Sequence, residues 1–181
     1  MRVAILSDVH GNTIALDAVL DDIRQQGGAD AHWILGDLAA IGPDPIGALQ
    51  RLSALPEARF VRGNCDRYLV TGERPAPSLE DAQNDPALLK PLVEVARSFA
   101  WTQGAVVATG WLPWMANLPL EFRAVLPDGT RVLAVHAAPG LDDGWGIHPL
   151  LAEAEIATQL SGCEVSCWEG SRLPLARFLP G

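Results

Sequence analysis

Five residues whose side chains bind divalent cations each follow an apolar run. They are Asp8 and His10 in "LSDVHGN", Asp37 in "LGDLAAIGPDP", Asn64 in "VRGNCD" and His136 in "LAVHAAPG". Carboxylate, imidazole and amide donors make a mixed oxygen and nitrogen set, which suits Mn, Fe, Zn or Mg better than an all-thiolate site would, and a carboxylate can bridge two ions. An isolated Asp-x-His is weak evidence, because Asp and His also cap helices and satisfy loop backbone groups. The order is what carries weight, since every member is placed where a strand should end. His32 opens a strand and reads as structural or exposed, whereas His148, in "WGIHP", is a loop residue open to solvent or substrate. The "GPDP" at 42–45 reads as a turn followed by a helix start.

The elements that must position these residues follow from hydropathy spacing. "VAILS" reads as a fully buried strand, and Asn12 then caps a helix whose apolar positions are Ile14, Ala15, Ala18, Val19 and Ile23. "HWILGD" followed by a helix over "DPIGALQRLSAL", and then "ARFVRGN", repeat the unit. Parallel βαβ units bring their carboxyl-terminal strand ends to one crevice, so the donors are expected to converge there. "RPAPSLEDAQNDP" reads as a polar, proline-rich loop that leads into helical segments from about Ala87 to Met115. "LEFRAVLPDGTRVLAVHAAPG" gives two alternating strands about a "PDGT" turn, and "PLLAEAEIATQL" gives a helix.

Composition narrows the partners. The 181 residues are 49% hydrophobic, enough for one core, and a single domain over 1–181 is expected. A net charge of -9 argues against binding duplex nucleic acid, so a phosphate-bearing substrate would need a metal or a local cationic pocket. With no apolar span of ~20 residues and no signal peptide, the expectation is a cytoplasmic protein without a membrane partner. Cys65, Cys163 and Cys167 contain no C-x-x-C and read as reduced thiols. Neither G-x-x-x-x-G-K nor G-x-G-x-x-G is present to support a generic nucleotide-binding domain.

"SDVHGN", "GDLAAIGPDP", "RGNCD" and "VHAAPG", in that order and spacing, resemble the calcineurin-like metallophosphoesterase family, in its branch of small bacterial phosphodiesterases. The resemblance runs from Met1 to about Gly162. It implies a four-layer α/β/β/α sandwich, here C-terminally shortened, around two divalent ions. Mn²⁺ is the first expectation, and Fe, Zn, Mg or Ni the others. Asp8 and His10 would hold one ion, Asp37 would bridge, and Asn64 with His136 would hold the second. Arg62 stands where some members place an arginine near the phosphate, giving Asp37, Asn64 and Arg62 as catalytic candidates. Gly11, Gly36 and Gly63 would let backbone turn tightly beside the ions. Much of the family has histidine where Cys65 stands; Cys65 is read either as a substrate-side group or as a packed, inert thiol, and Asp66 as orienting backbone. His148 is the accessory candidate.

The family carries Gly-His-Thr-His after its last helix, and the corresponding region here reads "GCEVSCWEGSRLPLARFLPG". Truncation, a shifted frame or natural divergence would each look like this. Incomplete metal occupancy is expected, because water must replace the missing imidazoles. Two functions follow as expectations. One is a metal-dependent phosphoesterase hydrolysing phosphodiesters or nucleotide-like small substrates through a two-metal-activated water; the other is a metal-poor, catalytically weak member acting as an interaction subunit. The segment from about 74 to 115 is expected beside the cleft, with Trp101, Trp111 and Trp114 as apolar surface for a homodimer.

Overall fold

The computed structural model describes residues 1–144, 146–147 and 150–161. His148, Cys163, Cys167 and the altered carboxyl-terminal stretch of the sequence reading lie outside the described residues.

The chain runs β1 (Val3–Leu6), α1 (Thr13–Gln25), β2 (Ala31–Leu35), α2 (Pro45–Ser53), β3 (Ala58–Val61) and α3 (Asn64–Thr71). The three strands form a parallel sheet in the order β1-β2-β3, with Leu6 opposite Ile34 and Leu35 opposite Val61. Local chemistry starts each crossover helix. Asn12 accepts from the Ala15 amide at 3.0 Å, and Asp44 accepts from the Gly47 amide at 2.8 Å with Pro45 in the first turn, so "GPDP" is a turn and helix start as read.

The next elements are α4 (Leu79–Asn84), α5 (Leu89–Ala108) and α6 (Leu112–Ala116), followed by the antiparallel hairpin β4 (Glu121–Val125) and β5 (Arg131–Val135), and then α7 (Glu153–Leu160). One face of the parallel sheet packs on helices: Leu6 and Ile34 share a core with Leu16, Leu20, Leu49, Leu52, Leu69, Phe99, Val106 and Met115. The other face meets the hairpin, where Trp33 and Phe122 contact edge to face at 5.3 Å.

Three expectations need correction. The buried face of α1 is Leu16 and Leu20 with Ile23 half-buried, whereas Ile14 is 83% and Val19 46% exposed. Positions i, i+4 and i+7 make the narrower stripe that meets the sheet, and Ile14 lies outside it. Nor is β1 buried on both faces: Ile5 is 61% exposed, because the hairpin covers β2 and β3 and leaves β1 at the edge. The "RPAPSLEDAQNDP" stretch is not all loop. It contains α4, where Ser78 caps the Asp81 amide at 3.1 Å and Asp81 returns a bond to the Ser78 amide at 2.7 Å.

The 74–115 segment packs on the outer side of α2 and α3. Gln103 donates to the Leu69 carbonyl at 2.7 Å, and Phe99 meets Tyr68. Trp111 and Trp114 pack edge to face with each other, and Trp114 with Phe60, leaving Trp101 as the exposed member of the three.

Candidate metal centre

Loops at the carboxyl ends of β1, β2 and β5, and the start of α3 after β3, carry the sequence-selected donors, and the backbone after β1 and β2 is held in unusual conformations. Asp8, His10 and Asp37 all have positive φ, at 56°, 48° and 55°. Such angles in non-glycine residues cost about 1–3 kcal/mol each and persist only where surrounding structure fixes them. Here the fixing is mutual: the Asp8 amide bonds the Gly36 carbonyl at 3.2 Å, His10 bonds Asp37 at 2.9 Å, and Gly11 bonds Leu38 at 3.0 Å. Two glycines make the approach possible. A Cβ on Gly36, whose φ is +87°, would lie 2.5 Å from the Gly63 nitrogen, and a Cβ on Gly42 would lie 1.5 Å from the His10 oxygen.

The side chains then converge. His10 Nε2 lies 3.7 Å from Asp8 Oδ1 and 3.6 Å from Asp37 Oδ2, and His136 Nε2 lies 3.7 Å from Asp37 Oδ1 and 3.1 Å from Asn64 Oδ1. The three imidazole–carboxylate gaps are too long for hydrogen bonds. They suit two donors sharing one ion, because metal–ligand bonds of ~2.1 Å place neighbouring ligands roughly 3.0–3.5 Å apart. Each Asp37 oxygen thus faces a different imidazole. Both rings also have their far nitrogen fixed: His10 Nδ1 reaches the Ala40 carbonyl at 3.1 Å and His136 Nδ1 the Leu35 carbonyl at 2.6 Å. A carbonyl only accepts, so each Nδ1 is the donor, which leaves Nε2 to the centre. The donor set fits divalent cations. His10, Asp37 and Cys65 form one close group, and Asp8, Asp37 and His136 another.

Asp37 is 3% exposed and its position is set from behind. Asp66, fully buried, accepts the Asp37 and Gly63 amides at 2.9 Å each and the Leu38 amide at 3.0 Å. Its carboxyl is pushed up to about 6 by burial, against the pull of these three amides and with a further push from Asp37. Cys65 donates its own amide to Asp37 Oδ1 at 2.9 Å. In the metal-free protein burial, then the Asp37 charge, raises its thiol pKa.

Comparison with known proteins gives the family. Residues 1–153 match the sequence pattern of the family described as calcineurin-like phosphoesterase. The chain belongs to the calcineurin-like phosphoesterase family. Its parallel sheet, second sheet and flanking helices are a metallophosphoesterase fold, and members of the family bind divalent metals. It is similar to a metallophosphoesterase from Sphaerobacter thermophilus, with 31% identity and a TM-score of 0.55 over 82% of this chain and 51% of that one. A hypothetical protein from Pyrococcus horikoshii OT3, 17% identical, shares the fold with a TM-score of 0.65 over 90% of this chain and 65% of its own. Among curated relatives, the symmetrical bis(5'-nucleosyl)-tetraphosphatase of Erwinia tasmaniensis is 35% identical over 71 residues, which is 39% of this chain and 26% of the relative. The chain therefore aligns with about a quarter of that curated relative and with about half to two thirds of the solved structures.

Within this calcineurin-like phosphoesterase centre, Arg62 is not turned free toward the donors. Its Nε donates to Asp142 Oδ2 at 2.6 Å. Asp142 and Asp143 line a cavity of about 260 Å³ together with Asp8, Asn64 and His136. Sequence reading passed over Asp142, Asp143, Arg67 and Gly42. The first three are joined across more than seventy positions, which no local pattern announces, and Gly42 was absorbed into the turn reading of "GPDP".

Proposed function

We propose that this chain is a divalent-metal-dependent phosphoesterase acting on phosphodiesters or nucleotide-like small substrates, as one domain and with Mn²⁺ as the preferred ion. The carrying observation is Asp37, whose Oδ2 lies 3.6 Å from His10 and whose Oδ1 lies 3.7 Å from His136, the arrangement expected of a carboxylate shared by two cations. The tetraphosphatase relatives, whose name denotes a nucleotide substrate, support the nucleotide-like class. Divalent ions held here would supply Lewis-acid polarisation of the phosphoryl oxygens and a more acidic water.

The chain's own residues supply the rest. Asp8 and His10 would hold one ion and Asn64 with His136 the other, with Asp37 common to both. The Ala40 and Leu35 carbonyls keep the two imidazoles turned with Nε2 inward, and Asp66 keeps the Asp37 backbone in place. Cys65, packed beside Asp37, buttresses it through its backbone amide.

The test is Mn²⁺ titration of chelated protein by calorimetry, alongside hydrolysis of bis-p-nitrophenyl phosphate. Mn²⁺-stimulated hydrolysis that falls at least ~100-fold in Asp37→Ala is expected, since even changes one shell out weaken such sites about 10–100-fold. Near-normal Mn²⁺-dependent turnover in Asp37→Ala would refute the shared-carboxylate reading. A wild-type protein that takes up no metal would leave the interaction-subunit reading in its place.

A further inference from the structure

The loop that follows His136 is tied back to the two sides of Asn64. Asp142, 6% exposed, receives Arg62 Nε on Oδ2 at 2.6 Å and Arg67 Nε on Oδ1 at 3.0 Å. Its neighbour Asp143 receives Tyr68 Oη at 2.5 Å and an Arg67 Nη at 3.1 Å. Arg62 stands two residues before Asn64, and Arg67 three residues after it. Asn64 itself meets His136 at 3.1 Å, six residues upstream of Asp142. The connections form a closed circuit: His136, the following loop, Asp142, the two arginines astride Asn64, and Asn64 back to His136. Asp8, His10 and the Ala40 carbonyl that holds the His10 ring lie outside this circuit.

We propose that Asp142 is a positioning residue for one of the two metal sites, fixing the separation of Asn64 and His136 through Arg62 and Arg67 while leaving the Asp8–His10 side unaffected. The inference rests on the metallophosphoesterase reading above and adds a residue to it. The physical reason is that a buried carboxylate receiving two guanidinium groups is a stiff joint. Each of its partners is anchored close to Asn64 in sequence, so a change at Asp142 reaches Asn64 through the backbone within three residues. Charge balance gives the arginines a use other than holding phosphate. Arg62 is committed to Asp142, and Arg67 is divided among Asp142, Asp143 and Glu73. The wall facing the cavity is therefore braced by both guanidinium groups.

The experiment is Mn²⁺ binding to the chelated protein by calorimetry and electron paramagnetic resonance, for wild type, Asp142→Asn, Asp142→Glu, Arg67→Gln and Asn64→Ala. Asp142→Asn is expected to weaken the ion that Asn64→Ala also weakens, by about 10–100-fold, as expected of an outer-shell partner. The other ion is expected to be unchanged. Asp142→Glu should recover part of the loss, and adding Asp142→Asn to Asn64→Ala should weaken that ion no further. Should Asp142→Asn fail to fold, Arg67→Gln decides: selective weakening of the Asn64-dependent ion supports the proposal, and unaltered binding overturns it. Equal weakening of both ions by Asp142→Asn would mean a general structural role and would overturn it too. A wild type that binds both ions beside an Asp142→Asn variant that binds both as tightly would sink this inference alone. A wild type taking up no Mn²⁺ would sink the metal reading and this inference with it.

Discussion

Asp66→Asn separates two opposing effects behind the metal centre, and pH tells them apart. The amide keeps the shape of the carboxylate but has one oxygen. In the native protein two amides, those of Asp37 and Gly63, converge on Oδ2, and the Leu38 amide takes Oδ1. An asparagine oxygen placed on the first pair turns its NH₂ toward Leu38, leaving at least one buried N–H without an acceptor, which costs about 1–3 kcal/mol at every pH. The other effect is relief of a buried charge. In metal-free protein the carboxyl is pushed up to about 6 from an ordinary 3.8 by burial. At ~1.4 kcal/mol per pH unit, the charged form is therefore disfavoured in the folded state by about 3 kcal/mol near neutrality. A carboxyl raised on folding takes up its proton first in the native state, so wild type gains stability relative to the variant as pH falls through 6, and the gain is complete below the ordinary carboxyl range. The variant should be less stable than wild type by about 1–3 kcal/mol at pH 4, and the difference should move by about 2.5 kcal/mol in its favour by pH 7.5. Urea unfolding in EDTA across that range measures it. A stability difference that does not change with pH would refute the assignment of the buried charge to Asp66.

Other expectations test the same architecture. Gly36→Ala combines a φ of +87° with a Cβ 2.5 Å from the Gly63 nitrogen, and should destabilise by more than about 1 kcal/mol in urea unfolding. Leu16→Ala should cost about 2–5 kcal/mol, whereas Ile14→Ala, at an 83% exposed position, should stay within about 0.5 kcal/mol; the opposite ranking would place the wrong face of α1 on the sheet. Cys65, 8% exposed, should resist iodoacetamide in native protein and react on unfolding, as read by peptide mapping. Mn²⁺ at ~100 times its dissociation constant should raise unfolding free energy by about 2.7 kcal/mol, and EDTA should remove that gain.

The strand-end placement of Asp8, His10, Asp37, Asn64 and His136 was legible because apolar runs, turn residues and donors sit next to each other in the chain. The same local logic found the cap at Asn12 and the helix start at "GPDP". It failed where tertiary neighbours decide. The apolar residues of α1 are abundant enough to draw more than one stripe, and only the sheet selects Leu16 and Leu20. β1 is as apolar as β2, and the exposure of its outer face depends on where a distant hairpin lands. α4 was hidden by prolines flanking a capping box that the loop composition masked. At the centre, Asp66 was legible as a backbone-orienting residue because it lies in the "RGNCD" loop, but its three acceptor bonds were not. Asp142 and Arg67 have no signature at all, since ordinary charged residues become a joint only when the fold sets them together.

The sequence separations across the centre bear on how it forms. Asp8, His10 and Asp37 come from the first βαβ unit, within one short crossover, whereas Asn64 and His136 are 72 positions apart and Arg62 and Asp142 are 80 apart. Closing a longer loop carries a larger entropic penalty, and contacts of high sequence separation slow folding. The two halves of the centre are therefore expected to be made at different times. Asp37 would be seated beside His10 while the chain beyond β3 is still finding its place, and its second imidazole would arrive only when the hairpin docks.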